Sequence, residues 1–395
     1  MLLSDETVVG VVGAGTMGTG IAQVAASAGH RVIMVDADRG AVEKAQASIA
    51  ATLDRLVEKK KMSREAAAAV RERIQYRWRS SERPARDFAD CGLVIEAIKE
   101  DLGAKTELFR AIELEVADTC VLATNTSSLS VTSIAASCAR RERVLGLHFF
   151  NPAPVLPLVE VVPWRGGDPS VLAAACALMT RWNKTPVVAS DTPGFIVNRI
   201  ARPFYGESIR MVEEGVADFA TIDWAMKTLG KFRMGPFELM DLIGNDVNFA
   251  VTRSIFEAFF YEPRYRPSLT QQRLVEAGSL GRKSGQGYYR YGDGVAMPAP
   301  TEDSELGGRI LDRVLAMLIN EAVDALFLRV ASARDIDLAM TTGVNYPKGL
   351  LAWADEIGLE RVLDQLTRLE HEYGEDRYRS SPLLRRMVRD RATFF

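Results

Sequence analysis

Three histidines occur in the 395 residues: His30, His148 and His371. His148 lies in Gly146-Leu147-His148-Phe149-Phe150-Asn151-Pro152, just after an apolar run that reads as a strand. Further on, Glu160 interrupts Leu158-Val159-Glu160-Val161-Val162, a run otherwise apolar. A lone carboxylate there is costly unless it faces water or has a partner. Glu160 could point to solvent from an edge strand, and a histidine beside two phenylalanines could be packed into a core. One reading joins both oddities: Glu160 bonds a ring nitrogen of His148, fixes its tautomer and stabilises the imidazolium. That is how a general acid–base is assembled. His30 follows the helix-ending Gly29 and His371 sits in a charged stretch, so both read as remote from chemistry.

Other polar groups fall near the same strand ends. Ser127, in Asn125-Thr126-Ser127-Ser128, could offer a hydroxyl to a substrate, or could cap the helical segment from Val131. Asn198, in Asp191-Thr192-Pro193-Gly194-Phe195-Ile196-Val197-Asn198-Arg199, could hydrogen-bond a substrate oxygen. The turn Gly13-Ala14-Gly15-Thr16-Met17-Gly18 follows a strand, opens a helix and precedes Asp36 at the end of the next strand. In that context GxGxxG is a dinucleotide site: Gly13 makes the tight turn, Gly15 admits the pyrophosphate and Gly18 lets helix and strand approach. Asp36 suits ribose hydroxyls and repels a 2′-phosphate, which favours NAD over NADP.

The elements that must position these groups alternate. Strands are expected at Thr7–Val12, Arg31–Val35, Ile74–Trp78, Leu93–Glu96, Val121–Thr124, Val144–Leu147, Leu158–Val162 and Thr185–Ala189. Helices are expected at Thr16–Ala28, Arg39–Lys60, Ser63–Arg73 and Pro169–Trp182. That alternation predicts an α/β Rossmann-type domain with a parallel sheet over residues 1–192. Beyond it the pattern is helical: a domain over 193–291, a Gly/Pro/acid-rich linker over 292–307, and a helical segment over 308–395. The last is a repeat of the first helical domain. A shift of 114 residues with no gap pairs Gly194 with Gly308, Arg199 with Arg313, Glu207 with Glu321, Asp223 with Asp337 and Gly235 with Gly349. Asn198 pairs with Asp312, which suggests that only the first copy carries site chemistry.

Bulk composition fits a cytoplasmic enzyme. Apolar residues are 47% and charged residues 26%, with net charge −3, so neither a general nucleic-acid binder nor a membrane protein is expected. The four cysteines show no metal-ligand spacing and read as reduced.

With these residues on the page, the chain resembles the L-3-hydroxyacyl-CoA dehydrogenases. The shared stretches are GAGTMG, NTSSLSVT, GLHFFNPAPV, LVEVV, DTPGFIVNR and GRKSGQGYY, and they cover nearly the whole chain. INEAVDAL, DIDLAM and GVNYPKG in the second helical copy look most like the bacterial members acting on 3-hydroxyadipyl- or 3-hydroxybutyryl-CoA. The resemblance implies NAD as cofactor and an acyl-CoA as substrate. It makes His148 the general base, Glu160 its partner, and Ser127 and Asn198 contacts of the reacting oxygen. It places Glu100, Lys105 and Asn151 near NAD, and Thr52 and Lys59 near coenzyme A. The ammonium run Lys59-Lys60-Lys61 suits CoA phosphates, although such a run alone reads as a solvated loop. Relatives with one helical copy pair through it, so this chain is expected either to dimerise or to form a pseudo-dimer within itself. Two rivals remain at this point: a dehydrogenase of a free β-hydroxy acid, and a catalytically silent protein of the same fold.

Overall fold

Short runs of valine, isoleucine and leucine become the strands β1 (Val9–Val12), β2 (Val32–Asp36), β3 (Ile74–Trp78), β4 (Leu93–Glu96), β5 (Val121–Thr124), β6 (Val144–Phe149), β7 (Leu158–Pro163) and β8 (Thr185–Val188). In the computed structural model, which describes residues 3–78 and 84–395, they form one sheet in the order β3-β2-β1-β4-β5-β6-β7-β8. Helices α1 (Thr16–Ser27), α2 (Arg39–Glu58), α3 (Arg64–Arg73), α4 (Leu102–Glu113), α5 (Val131–Ala135) and α6 (Pro169–Arg181) complete this unit, which runs from Met1 to Phe195. Side chains alternate across the strands into two cores: Val9, Val11, Val32 and Met34 lie in one, Val12, Ile33 and Val35 in the other. Both faces are therefore covered, as a mainly parallel sheet requires.

The expectation of a parallel sheet needs one correction. β6 and β7 are antiparallel, and β8 runs parallel to β7. Only Phe150 to Pro157 separate β6 from β7, whereas a parallel return needs a crossover of a dozen residues or more. The hairpin also lengthens β6, so His148 lies inside the strand rather than just after it, directly opposite Glu160.

The second unit, Ile196–Phe395, is helical: α7 (Val197–Ile200), α8 (Arg202–Glu213), α9 (Phe219–Thr228), α10 (Pro236–Ile243), α11 (Asn245–Ala258), α12 (Leu269–Glu276), α13 (Ser304–Phe327), α14 (Ala333–Gly343), α15 (Leu350–Ile357), α16 (Leu359–Tyr373) and α17 (Pro382–Asp390). The long α13 packs against α8, α9, α15, α16 and α17. Its start corrects the expected linker. Asp303 caps α13 through the amides of Glu305 and Leu306, so residues 304–307 are helix. Of the glycines that suggested a linker, Gly307 has a packing reason: a Cβ there would lie 2.7 Å from Trp224 on α9.

Positions 114 residues apart adopt the same local structure. Asp223 accepts the amides of Phe237 and Glu238 at the start of α10, each at 2.9 Å. Asp337 accepts those of Leu351 and Ala352 at the start of α15, at 2.8 and 2.9 Å. Gly235 and Gly349 sit so close that an added Cβ would lie 2.3 Å from the corresponding aspartate carboxyl carbon. Gly349→Ala should therefore cost about 1–3 kcal/mol through overpacking and the displaced cap, read as a lower Tm; an unchanged Tm would show that the carboxylate does not hold the helix start.

Candidate active site

Antiparallel register puts His148 and Glu160 side by side on one face of the sheet. His148 Nδ1 lies 2.6 Å from Glu160 Oε2. An ionised carboxylate only accepts, so Nδ1–H is the donor of this bond, and a neutral ring held this way has its lone pair on Nε2. Glu160 is fully buried and His148 is 6% exposed. The imidazole is flanked by Phe150 and Phe195, with ring centroids 4.5 and 5.8 Å away. Asn125, after β5, accepts the Phe149 amide at 2.8 Å and so ties the histidine's neighbour to the next strand end.

A second set of buried charges supports the loop after β5. Glu96, at the end of β4, accepts from Lys105 Nζ (2.6 Å), the Ile98 amide (2.7 Å) and Thr124 Oγ1 (2.6 Å). Lys105 also pairs with Glu100 at 3.2 Å. The other oxygen of Glu100 accepts from Thr126 Oγ1 (2.6 Å), the amides of Ser127 and Ser128 (3.0 and 3.2 Å) and Ser128 Oγ (3.0 Å). Burial alone would push the Glu100 carboxyl up, but the Lys105 ammonium and these bonds outweigh it and hold it below the usual carboxylate range. Lys105 is 1% exposed, so it reaches this loop only through Glu100. Ser127 is not the helix cap. Ser130 caps α5 through the Ser133 amide, while Asp191 accepts the amides of Val131 and Thr132.

At the glycine turn, Gly13 adopts φ +101°, and a Cβ there would lie 2.5 Å from the Ala97 carbonyl oxygen. A Cβ at Gly18 would lie 1.9 Å from the Gly13 carbonyl oxygen. Gly15 differs: nothing lies within 4 Å of where its Cβ would stand. Gly15 and Thr16 are exposed, Met17 is half-buried, and α1 begins there with no side-chain cap and no acid in its first turn. Open space over a helix N-terminus with free amides fits a pyrophosphate. Asp36 accepts the amides of Ala14 (2.6 Å) and Asp38 (2.9 Å), which aligns it beside that turn. Arg39, which follows closely in the sequence, is paired with Glu43 at 2.7 Å and lies over Trp78 at 4.7 Å. These residues fit NAD.

The remaining expected residues are more dispersed. Asn151 is exposed on the turn between β6 and β7. Thr52 lies on α2, where its hydroxyl accepts from Arg55, and Lys59 is exposed at that helix's end. Asn198 is half-buried on α7, in the second unit. Its counterpart Asp312 is bound by both oxygens to Arg361 at 3.0 and 2.9 Å. His30 is buried against the Thr7 carbonyl and His371 is exposed. Burial pushes the thiols of Cys91 and Cys120 up to about 12, which argues against thiolate chemistry. Among the described residues no group of three His, Cys, Asp or Glu could hold a metal ion. The sequence reading missed Glu96, Asn125 and Asp191. Glu96 had a signal: like Glu160, it is a lone acid in an apolar strand.

Comparison with known proteins gives consistent matches. The family model for the 3-hydroxyacyl-CoA dehydrogenase NAD-binding domain matches residues 8–192, and the model for the C-terminal domain of the same family matches 194–291 and 308–393. The 3-hydroxyadipyl-CoA dehydrogenase of Escherichia coli K12 is 40% identical, with 98% of each chain covered. Human mitochondrial hydroxyacyl-coenzyme A dehydrogenase is 39% identical over 71% of this chain and 90% of its own. The crystal structure of 3-hydroxybutyryl-CoA dehydrogenase from Escherichia coli K12 superposes with a TM-score of 0.90 at 38% identity, again over 98% of both chains.

Removing the ammonium under the Ser127 loop tests the network. Lys105→Met leaves Glu96 buried without its cation and should destabilise the fold by about 3–5 kcal/mol; urea unfolding at wild-type stability would show that this cation is dispensable.

Proposed function

Since this chain belongs to the 3-hydroxyacyl-CoA dehydrogenase family, we propose that it oxidises an L-3-hydroxyacyl-CoA reversibly to the 3-oxoacyl-CoA, with His148 as general base. It is an oxidoreductase acting on CH–OH with NAD, which when bound supplies the hydride acceptor. The observation that carries the site reading is the 2.6 Å contact between His148 and Glu160. With Nδ1–H held by the carboxylate, Nε2 takes the proton of the 3-hydroxyl as the hydride leaves the same carbon. Glu160 then offsets the charge of the imidazolium, and in reduction the same nitrogen returns the proton. Ser127, held through its amide by Glu100, offers its hydroxyl to the reacting oxygen, and the Asn198 amide serves the same oxygen. Gly13, Gly15, Thr16, Met17 and Gly18 take the pyrophosphate, and Asp36 takes the adenosine ribose. Glu100 and Asn151 bear on the nicotinamide side, where Lys105 acts through Glu100.

Thr52 and Lys59 are proposed for the CoA end, and the acyl group is short or 3-hydroxyadipyl, the types named for the relatives. A free acid would have no use for the Lys59-Lys60-Lys61 run, so acetoacetyl-CoA should be reduced far better than acetoacetate. No helix among the described residues is long and apolar enough to cross a membrane. Cys91, Cys120 and Cys138 are buried free thiols, and a cytoplasmic setting is proposed. His148→Gln should lower kcat about 10²–10⁴-fold while NADH still binds, followed by NADH absorbance with acetoacetyl-CoA; near-normal turnover would remove His148 from this role.

The second helical copy is proposed to serve as a built-in partner for the first. Arg199 of the first copy bonds Glu321 of the second at 2.6 Å, and Arg313 of the second bonds Glu207 of the first at 3.0 Å. Tyr265 and Arg264 also hold Glu321 (2.5 and 3.1 Å), while Tyr378 holds Glu207 at 2.9 Å and Arg377 lies 3.9 Å from it. Each copy's arginines and tyrosine thus grip the other's buried glutamate, the reciprocity of a two-fold interface. Burial would raise both carboxyls, but Arg199 and Arg264 hold Glu321 low, and Arg210, Arg313 and Arg377 hold Glu207 low. A depressed folded pKa gives stability that is present above the unfolded value, about 4.3, and lost as pH falls through the folded one. Glu321→Gln should therefore lower Tm at pH 7 and flatten its fall in acid; wild-type behaviour on both counts would refute the clamp. A soluble, active, monomeric chain lacking residues 304–395, judged by light scattering, would refute the partner role.

A further inference from the structure

Lys184 is an oddity that the site leaves unexplained. It stands between α6 and β8 and is 8% exposed. Among the described residues no carboxylate pairs with it. Its Nζ instead donates to two backbone carbonyls, Ala153 at 2.5 Å and Leu156 at 2.9 Å. Burying an ammonium against neutral acceptors is expensive, and burial alone draws its pKa down to about 8. Both acceptors lie on the turn Phe150–Pro157 that joins β6 to β7. That turn is otherwise closed by the Pro152 carbonyl, which accepts the amides of Val155 and Leu156.

The turn has neighbours that matter. Its first residues follow His148 on β6, and its last lead into Glu160 on β7. It carries Asn151. Its middle sits on α1: a Cβ added at Gly20 would lie 3.0 Å from Ala153 Cβ and 3.1 Å from Pro154 Cδ. Gly20 belongs to the helix whose N-terminus forms the pyrophosphate seat. A single ammonium therefore anchors the segment that links the catalytic hairpin to the cofactor helix.

We propose that Lys184 is a positioning residue for the dehydrogenase reaction: it clamps the 150–157 turn against α1 and so sets both Asn151 and the base of the His148–Glu160 hairpin. The fold does not need an ammonium to make this connection. An apolar side chain of similar length would remove a desolvation cost while giving up two hydrogen bonds, so stability changes little while geometry loosens. The inference rests on the site assignment above.

Lys184→Met and Lys184→Arg separate the possibilities. Lys184→Met is expected to keep Tm within a few degrees while its kcat with acetoacetyl-CoA falls about 10- to 100-fold. Its NADH dissociation constant, followed by fluorescence without turnover, should rise several-fold. The amides of Val155 and Leu156 should exchange faster with deuterium. Lys184→Arg, whose guanidinium reaches both carbonyls, should recover most of kcat and of the NADH affinity. Should Lys184→Met fail to fold, Gly20→Ala presses the same turn from the α1 side and should raise the NADH dissociation constant likewise. Wild-type NADH affinity and kcat in Lys184→Met, or wild-type NADH affinity in Gly20→Ala, would overturn the proposal. A wild-type enzyme inert toward acetoacetyl-CoA would instead sink the site assignment and leave the NADH comparison readable.

Discussion

A carboxylate with no exposure to water sits inside a β-sheet, and one imidazole across the strand gives it a place there. The bond between Glu160 and His148 exists because β6 turns straight back as β7 instead of crossing over. In a parallel sheet the two residues would not face each other as cross-strand partners. The same reversal brings the Phe150–Pro157 turn, which carries Asn151, over α1. Backbone topology, more than any single side chain, is what makes an acid–base pair here.

Around that pair, charge is buried in layers. Glu96 and Lys105 carry no exposed surface worth naming, yet through Glu100 they set the amides of Ser127 and Ser128. Asn125 ties the neighbouring strand end to Phe149. Residues that would touch a substrate are thus held by residues that would not, and the Glu96–Lys105 bond behind them has both partners buried. The alternative, an unpaired charge, would cost more than the geometry gains.

Much of this was legible in the residues. Strand limits at β3, β4 and β5 coincide with those expected from the residues. The pairing of His148 with Glu160 follows from a lone acid in an apolar run. What was not legible depends on non-local register. The antiparallel hairpin could have been read from the short connection, since no crossover fits between Phe149 and Leu158, but alternation elsewhere argued for a uniform sheet. From its own residues Ser127 read as a cap or a ligand, and Ser130 and Asp191 instead occupy the start of α5. Gly307 imitated a linker because glycine serves close helix packing as well as flexibility. Lys105 was expected near NAD, and only the fold reveals that it is enclosed and bonded to Glu96.

The reciprocal glutamate clamps carry a consequence for how such an enzyme lives in a cell. The two helical copies are joined through residues 292–303, so each meets the other at an effective concentration of about millimolar, whatever the abundance of the protein. Dilution does not separate them, and related subunits cannot easily intrude to form mixed pairs. In the second copy the position of Asn198 is taken by Asp312, bound to Arg361. That copy is tied both to its neighbour, through Glu321, and to its own helix start, through Asp337.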